Sequence, residues 1–189
     1  MGREITEYKI AKEIFTYGKD IILTDEAQTM KKFIQHGTTS VFEHAVSVAK
    51  FSIITALWLE KVFNVKVDHK SLVRGALLHD YFLYDWHDKH VFHNLHGFTH
   101  PMTALEYATR DFHLNKRERD IIRKHMFPLT LIPPRFIESA IVCYADKRCA
   151  LCETFKIDVS TYLINRINLY YGLSRGHFTL ATRHREINA

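Results

Sequence analysis

The stretch "LLHDYFLYDW", residues 77 to 86, sets a histidine beside an aspartate directly after three apolar residues, Ala76, Leu77 and Leu78. A carboxylate buried without a partner costs several kcal/mol, so a group placed like Asp80 is paired, hydrogen-bonded or bound to metal. Partners of the right chemistry lie elsewhere in the chain: His44, His100, His125 and Asp146, beside His79 itself. Mixed imidazole and carboxylate donors suit Mn, Fe, Co, Ni or Zn. One inward histidine alone reads as a hydrogen-bonded core residue. Six such side chains spread over successive segments read as a metal site, and thirteen histidines, most of them between residues 36 and 125, add weight to that reading.

These side chains need helices to hold them, and the sequence reads as helix after helix. "EITEYKIAKEIFTYG" carries Ile5, Tyr8, Ile14 and Phe15 near a helical period and is expected to stop at Gly18; "DEAQTMKKFIQHG" repeats the pattern and is expected to stop at Gly37. Ser40-x-x-Glu43 is a capping box opening the apolar run "VFEHAVSVAKFSIITALWLEKVF", which places His44 in an early turn. Asp68 caps "HKSLVRGALLHDYF", in which Leu72, Ala76 and His79 share a face. His100-Pro101 reads as a helix start, with proline at the first helical position. Asn115-x-x-Glu118 starts "KRERDIIRKHM", with Ile121, Ile122 and His125 on one face, and Pro128 ends it. Asp146 lies among Val142, Cys143, Cys149 and Ala150 in "RFIESAIVCYADKRCALCETF". A last amphipathic stretch, "VSTYLINRINLYY", leads to a basic tail. No strand pattern, internal repeat or long linker is evident. The expected architecture is an all-α helical bundle, one domain over 1–189 with its core at 36–155, N-terminal helices in 3–35 and a C-terminal helix and tail over 156–189.

Neighbours on a helix lie about 100° apart, so His79 and Asp80 would diverge at their bases. A carboxylate bridging two metals resolves that divergence.

Bulk composition narrows the class. With 47% hydrophobic and 25% charged residues the chain can build one buried core, and it is not of the disordered type. The amino terminus is charged from residue 3 and has no apolar leader, and no later stretch reaches about 18 apolar residues. Cys143, Cys149 and Cys152 are an odd set without a second CxxC, which argues against a disulfide framework and for a reducing, cytoplasmic setting; Cys149 and Cys152 read as neighbours on one helix face. A net charge of +5 and a pI near 9.1 suit an anionic, phosphorylated ligand. Nothing beyond the short tail "RHRE" points to nucleic acid.

The pattern His44, His79-Asp80, Asp146 resembles the HD superfamily of metal-dependent phosphohydrolases, and "LVRGALLHDYF" is similar to the segment that names it. The resemblance covers residues 36 to 155. It implies a metal held by His44, His79, Asp80 and Asp146. His100 in "THPMTALEYA" and His125 in "IIRKHMFPLT" resemble the subgroup that holds two metals, which includes HD-GYP cyclic dinucleotide phosphodiesterases and HD-type diadenosine tetraphosphate hydrolases; on that carry-over Asp80, His100 and His125 hold the second. Met126 stands after His125, where HD-GYP proteins have a second histidine, there is no GYP motif, and the acidic pair of alarmone hydrolases is absent from "HDYFLYDWHDKH".

The resemblance implies hydrolysis of a phosphomonoester, phosphodiester or nucleotide by a metal-activated water, with two divalent transition metals per chain and a small phosphorylated substrate. Asp80 is then indispensable, and Lys147, directly after Asp146, resembles a basic residue found near this position in several family members and could contact phosphate. His36, Thr38 and Thr39 in "HGTTS" could offer donors to an anion at a helix N-terminus. The loop after Asp80 supplies Asp85, His87, His93 and His96 for substrate contact or proton transfer, and His96 rivals His100 as a ligand. Two other classes share the same six residues: a di-iron oxygenase of the HD type, and a non-catalytic module that binds ligand without turnover. The sequence leaves the oligomeric state open.

Overall fold

A computed structural model describes residues 7–82 and 96–155. Helix α1 (Glu7–Ile22) and the short α2 (Asp25–Thr29) are followed by a 3₁₀ turn (Met30–Lys32) and an antiparallel pair, β1 (Ile34–His36) and β2 (Thr39–Ser40). Then come α3 (Val41–Phe63), α4 (His69–Leu78), α5 (His96–Asp111), α6 (Lys116–Lys124) and α7 (Ile137–Thr154). The expected all-α bundle is what forms, with one small hairpin added. None of the described helices is long and apolar enough to cross a membrane.

Helix starts follow local chemistry. Ser40 Oγ accepts from Glu43 N at 3.3 Å while Glu43 Oε2 accepts from Ser40 N at 2.9 Å, which fixes the first turn of α3. Asn115 and Glu118 do the same for α6, and Asp68 accepts from Ser71 N to open α4. Asn64, with φ 51°, ends α3 in the left-handed region.

Helix α4 is the axis of the bundle. Every residue from Ser71 to Leu78 is buried, and α3, α6, α1 and α7 all pack on it. Two glycines let the neighbours come close. A Cβ at Gly75 would lie 2.9 Å from both Cβ and Cγ2 of Ile121 on α6, and one at Gly18 would collide with the Leu77 side chain. Buried Arg74 ties three helices, donating Nε to Glu118 Oε1 at 3.1 Å and Nη1 to both Asp20 oxygens at 2.6 and 2.7 Å. The other Glu118 oxygen is the one that caps α6, so cap and buried ion pair share a carboxylate.

Four boundaries differ from the sequence reading, each for a packing reason. Gly18 lies inside α1, because there it is a contact point rather than a stop. Residues 25–37 break into a short helix, a 3₁₀ turn and β1, because Phe33 turns extended and its carbonyl accepts from Val41 N. Helix α4 ends at Leu78, so His79 and Asp80 occupy the turn that closes it, with Tyr81 N donating to the Leu78 carbonyl. Helix α5 begins at His96 and carries Pro101 within it, where proline donates nothing to the carbonyl four residues back.

Candidate metal centre

Six buried side chains meet at the C-terminal end of α4. His44 comes from the first turns of α3, His79 and Asp80 from the turn after α4, His100 from α5, His125 from the C-cap of α6, and Asp146 from the middle of α7. They form two triads, His44–His79–Asp146 and Asp80–His100–His125, each with its donor atoms within 4.8 Å of one another.

Asp80 stands between them. Its Oδ2 faces the first triad, 3.3 Å from His79 Nε2 and 4.0 Å from His44 Nε2, and its Oδ1 faces the second, 3.3 Å from His100 Nε2 and 3.4 Å from His125 Nε2. Asp146 Oδ1 completes the first triad, 3.1 Å from His44 Nε2 and 3.6 Å from His79 Nε2. The backbone is still helical at His79 (φ −60°, ψ −33°), so His79 and Asp80 diverge at their bases, and Asp80 reaches both triads through its two oxygens.

The imidazoles are oriented from behind. His79 Nδ1 and His125 Nδ1 lie 2.7 and 2.9 Å from the carbonyls of Ala76 and Ile122, each three residues earlier, so both donate there. In the neutral form of each ring this leaves the Nε2 lone pair pointing into the centre, as a metal ligand needs. His44 Nδ1 lies 2.8 Å from Glu153 Oε2, and His100 Nε2 and His125 Nε2 are 2.8 Å apart. His79 Nε2 and Asp80 Oδ1 have no hydrogen-bond partner among the described residues, although both are buried. Converging lone pairs, orphaned buried atoms and an imidazole-carboxylate donor set fit divalent transition metals. The two groups could each hold an ion.

Electrostatics point the same way. Burial pushes His44 down, but hydrogen bonds to Asp146 and Glu153 more than offset it and hold the ring up at about 9. Burial likewise opposes charge on His79, yet Asp80 and Asp146 raise it well above its ordinary value. Burial would raise Asp80 and Asp146; the surrounding imidazoles hold both well below the usual carboxylate range. Only His125 is lowered by its burial. The imidazoles balance the two carboxylates by holding protons, and a divalent ion at the centre would displace those protons.

Other residues singled out by sequence fall differently. Lys147 Nζ donates to the His125 carbonyl at 2.8 Å, with Cys143 O and Sγ at 3.3 Å, so it braces a site residue from outside. Thr38 is an exposed hairpin-turn residue and Thr39 is half-buried in β2, while the N-terminus of α3 is closed by its own Ser40 and Glu43. The capping box thus occupies part of the helix end at which donors to an anion were expected. His36 lies in β1 and His96 opens α5, but their side chains, like all of Asp85, His87 and His93 and the 156–189 segment, lie outside the described residues. Cys143, Cys149 and Cys152 are buried free thiols, and burial pushes Cys143 and Cys149 above their ordinary range.

Two functional neighbours were missed by sequence reasoning. Glu153 had a signal: it follows Asp146 by seven residues, two turns along the same face of α7. Gln35 had none. It reaches Asp80 from β1, donating Nε2–H to Oδ2 at 2.6 Å.

No protein-family model matches the chain, and no solved structure does so either. Among curated proteins it is similar to a dihydroneopterin 2',3'-cyclic phosphate phosphodiesterase of Methanocaldococcus jannaschii, 31% identical over 115 residues. The match takes in 57% of this chain and 45% of that protein, so the chain spans less than half of its relative's length.

Proposed function

We propose that the chain is a metal-dependent phosphohydrolase acting on a small phosphorylated substrate, with a phosphodiester, cyclic or open, as the leading bond. One observation carries the reading: a buried carboxylate, Asp80, turns one oxygen to each of two His-containing triads. The similarity to a cyclic phosphate phosphodiesterase supports the bond class.

In this reading His44, His79 and Asp146 would hold one ion and Asp80, His100 and His125 the other. Ions held there would supply Lewis acidity, activating a water and offsetting charge on a phosphoryl group. The protein does the rest by placement. The Ala76 and Ile122 carbonyls fix the tautomers of His79 and His125, Glu153 fixes His44, and Lys147 anchors the carbonyl of His125. Buried Phe82 sets its ring edge-on to His100, with 6.3 Å between centroids.

Elemental analysis of protein purified without chelator, followed by reloading of the apo form, tests the site. About two transition-metal ions per chain, lost in Asp80→Ala, is the expected result. Hydrolysis of bis(4-nitrophenyl) phosphate and of 2',3'-cyclic nucleotide phosphates, run with and without O₂, then tests the reaction. Metal-dependent turnover indifferent to O₂ supports the hydrolase. Turnover of an organic substrate that needs iron and O₂ would replace it with the oxygenase, and tight metal binding with no turnover of any phosphate ester would replace it with a binding module.

A further inference from the structure

The hairpin that precedes α3 brings one polar side chain into the centre. Gln35, in the middle of β1, is only 9% exposed. Its Nε2 is 2.6 Å from Asp80 Oδ2, the oxygen that faces His44 and His79. The orientation of a side-chain amide is set by its partners, and here the partner decides it. A carboxylate oxygen is an acceptor, so the amide turns its NH₂ toward Asp80 Oδ2.

That fixes the other end. Gln35 Oε1, on the same carbon as Nε2, is buried and has no hydrogen-bond partner among the described residues. A buried carbonyl without a donor costs free energy comparable to a lost hydrogen bond, so such an atom calls for an explanation. Ordinary core packing does not give one. The backbone of Gln35 is held between Ile34, paired with Ser40, and His36, paired with Thr39, while Val41 N donates to the Phe33 carbonyl. The same few residues therefore set the strand that carries Gln35 and the cap of the helix that carries His44.

We propose that Gln35 is a site residue, holding the Oδ2 edge of the shared carboxylate through its N–H and offering Oε1 to an O–H donor bound at the centre, a water or a substrate hydroxyl. The proposal rests on the phosphohydrolase reading above. It makes Gln35 a positioning residue for Asp80 and a direct contact for the bound donor. It also gives the hairpin a purpose, since a helix over 34–36 would not carry residue 35 along the same path.

The test compares Mn²⁺-loaded wild type with Gln35→Met, which keeps length and burial but loses the donor and the strong acceptor. Three readouts are taken: Mn²⁺ affinity, the exchange-coupled Mn–Mn signal by electron paramagnetic resonance, and kcat and KM on bis(4-nitrophenyl) phosphate. The expected result is a variant that melts cooperatively, binds Mn²⁺ roughly 10- to 100-fold more weakly, shows a diminished coupled signal at matched loading, and loses kcat more than KM. Gln35→Asn, whose amide is one methylene too short to reach Asp80, gives the same result and stands in should Gln35→Met not fold. Wild-type affinity, coupling and kcat in either folded variant would overturn the role of Gln35 while leaving the phosphohydrolase reading intact. Failure of the wild type itself to bind Mn²⁺ or hydrolyse any phosphate ester would overturn both.

Discussion

Two clusters of histidine and carboxylate lie along α4, one at each end, and they differ in everything but residue type. At the N-terminal end His69 Nδ1 pairs with Glu13 of α1 and His69 Nε2 lies 3.1 Å from Glu60 of α3. Both ring nitrogens are used, each carboxylate approaches from its own side, and all three side chains keep some contact with solvent. At the C-terminal end the ring nitrogens of His79 and His125 that face backbone carbonyls are used, and those that face inward converge on Asp80. A histidine between two carboxylates is a strap across helices. Histidines whose second nitrogens are pinned from behind form a receptor for a cation.

Removing the shared carboxylate tests this contrast most severely. Asp80→Ala removes a member of one triad and the oxygen that faces the other, so we expect metal binding to be lost and turnover to fall by roughly three or more orders of magnitude. His69→Ala, at the other end of the same helix, should leave metal content and kcat within about twofold and cost only about 1 kcal/mol of stability, the scale of a partly exposed ion pair. Comparable losses of activity in both variants would erase the distinction.

A smaller effect belongs to Glu153, which orients His44 at 2.8 Å without facing the centre itself. Glu153→Gln keeps the shape and removes the charge. Metal affinity should drop roughly 10- to 100-fold, as carboxylates behind a ligating imidazole do when replaced, and isothermal titration of the apo protein with Mn²⁺ would measure it. An affinity equal to wild type would reduce Glu153 to a helix-helix contact.

The convergence also depends on how closely α4 and α6 approach. Gly75 precedes His79 by four residues and Ile121 precedes His125 by four, so the Gly75–Ile121 contact sits one turn beneath two site imidazoles. Gly75→Ala would press a methyl against Cβ and Cγ2 of Ile121, atoms a β-branched side chain cannot swing away. We expect about 1–3 kcal/mol of destabilisation by urea unfolding, together with weaker metal binding, and a smaller cost of Gly75→Ala when it is made in an Ile121→Ala background than when it is made alone.

These particulars show what the sequence makes legible. Caps are local chemistry, and Ser40–Glu43, Asp68 and Asn115–Glu118 open their helices where their residue types place them. His44, His79, His125 and Asp146 are legible because an apolar stripe interrupted or ended by His or Asp stands out against its period. Contacts set by tertiary packing are not. Gly18 and Gly75 resemble breaks in a pattern until Leu77 and Ile121 are seen against them. The turn at His79-Asp80 needs the end of α4 to be fixed by its surroundings, and Gln35 belongs to a strand too short to show any alternation. The Glu153 signal was present in its spacing from Asp146, but an acidic residue near a helix end reads equally well as surface.

The smallest effect separates the clusters by pH. Glu13 raises His69 from 6.5 to about 9, against the opposing pull of partial burial, with Glu60 adding to the rise. A histidine whose folded value exceeds its unfolded one stabilises the fold fully below about pH 6.5, and that contribution is lost as pH climbs through about 9. Because His69 and both carboxylates keep contact with solvent, screening holds the gain to about 1 kcal/mol. Wild type should therefore exceed His69→Asn in urea midpoint at pH 6, and the gap should close by pH 9.5. Loading with metal should leave that gap unchanged, since neither Glu13 nor Glu60 belongs to the triads at the other end of α4. A gap that instead persisted at pH 9.5 would mean that His69 stabilises by packing rather than by charge, and one that vanished on metal loading would couple the two ends of the helix.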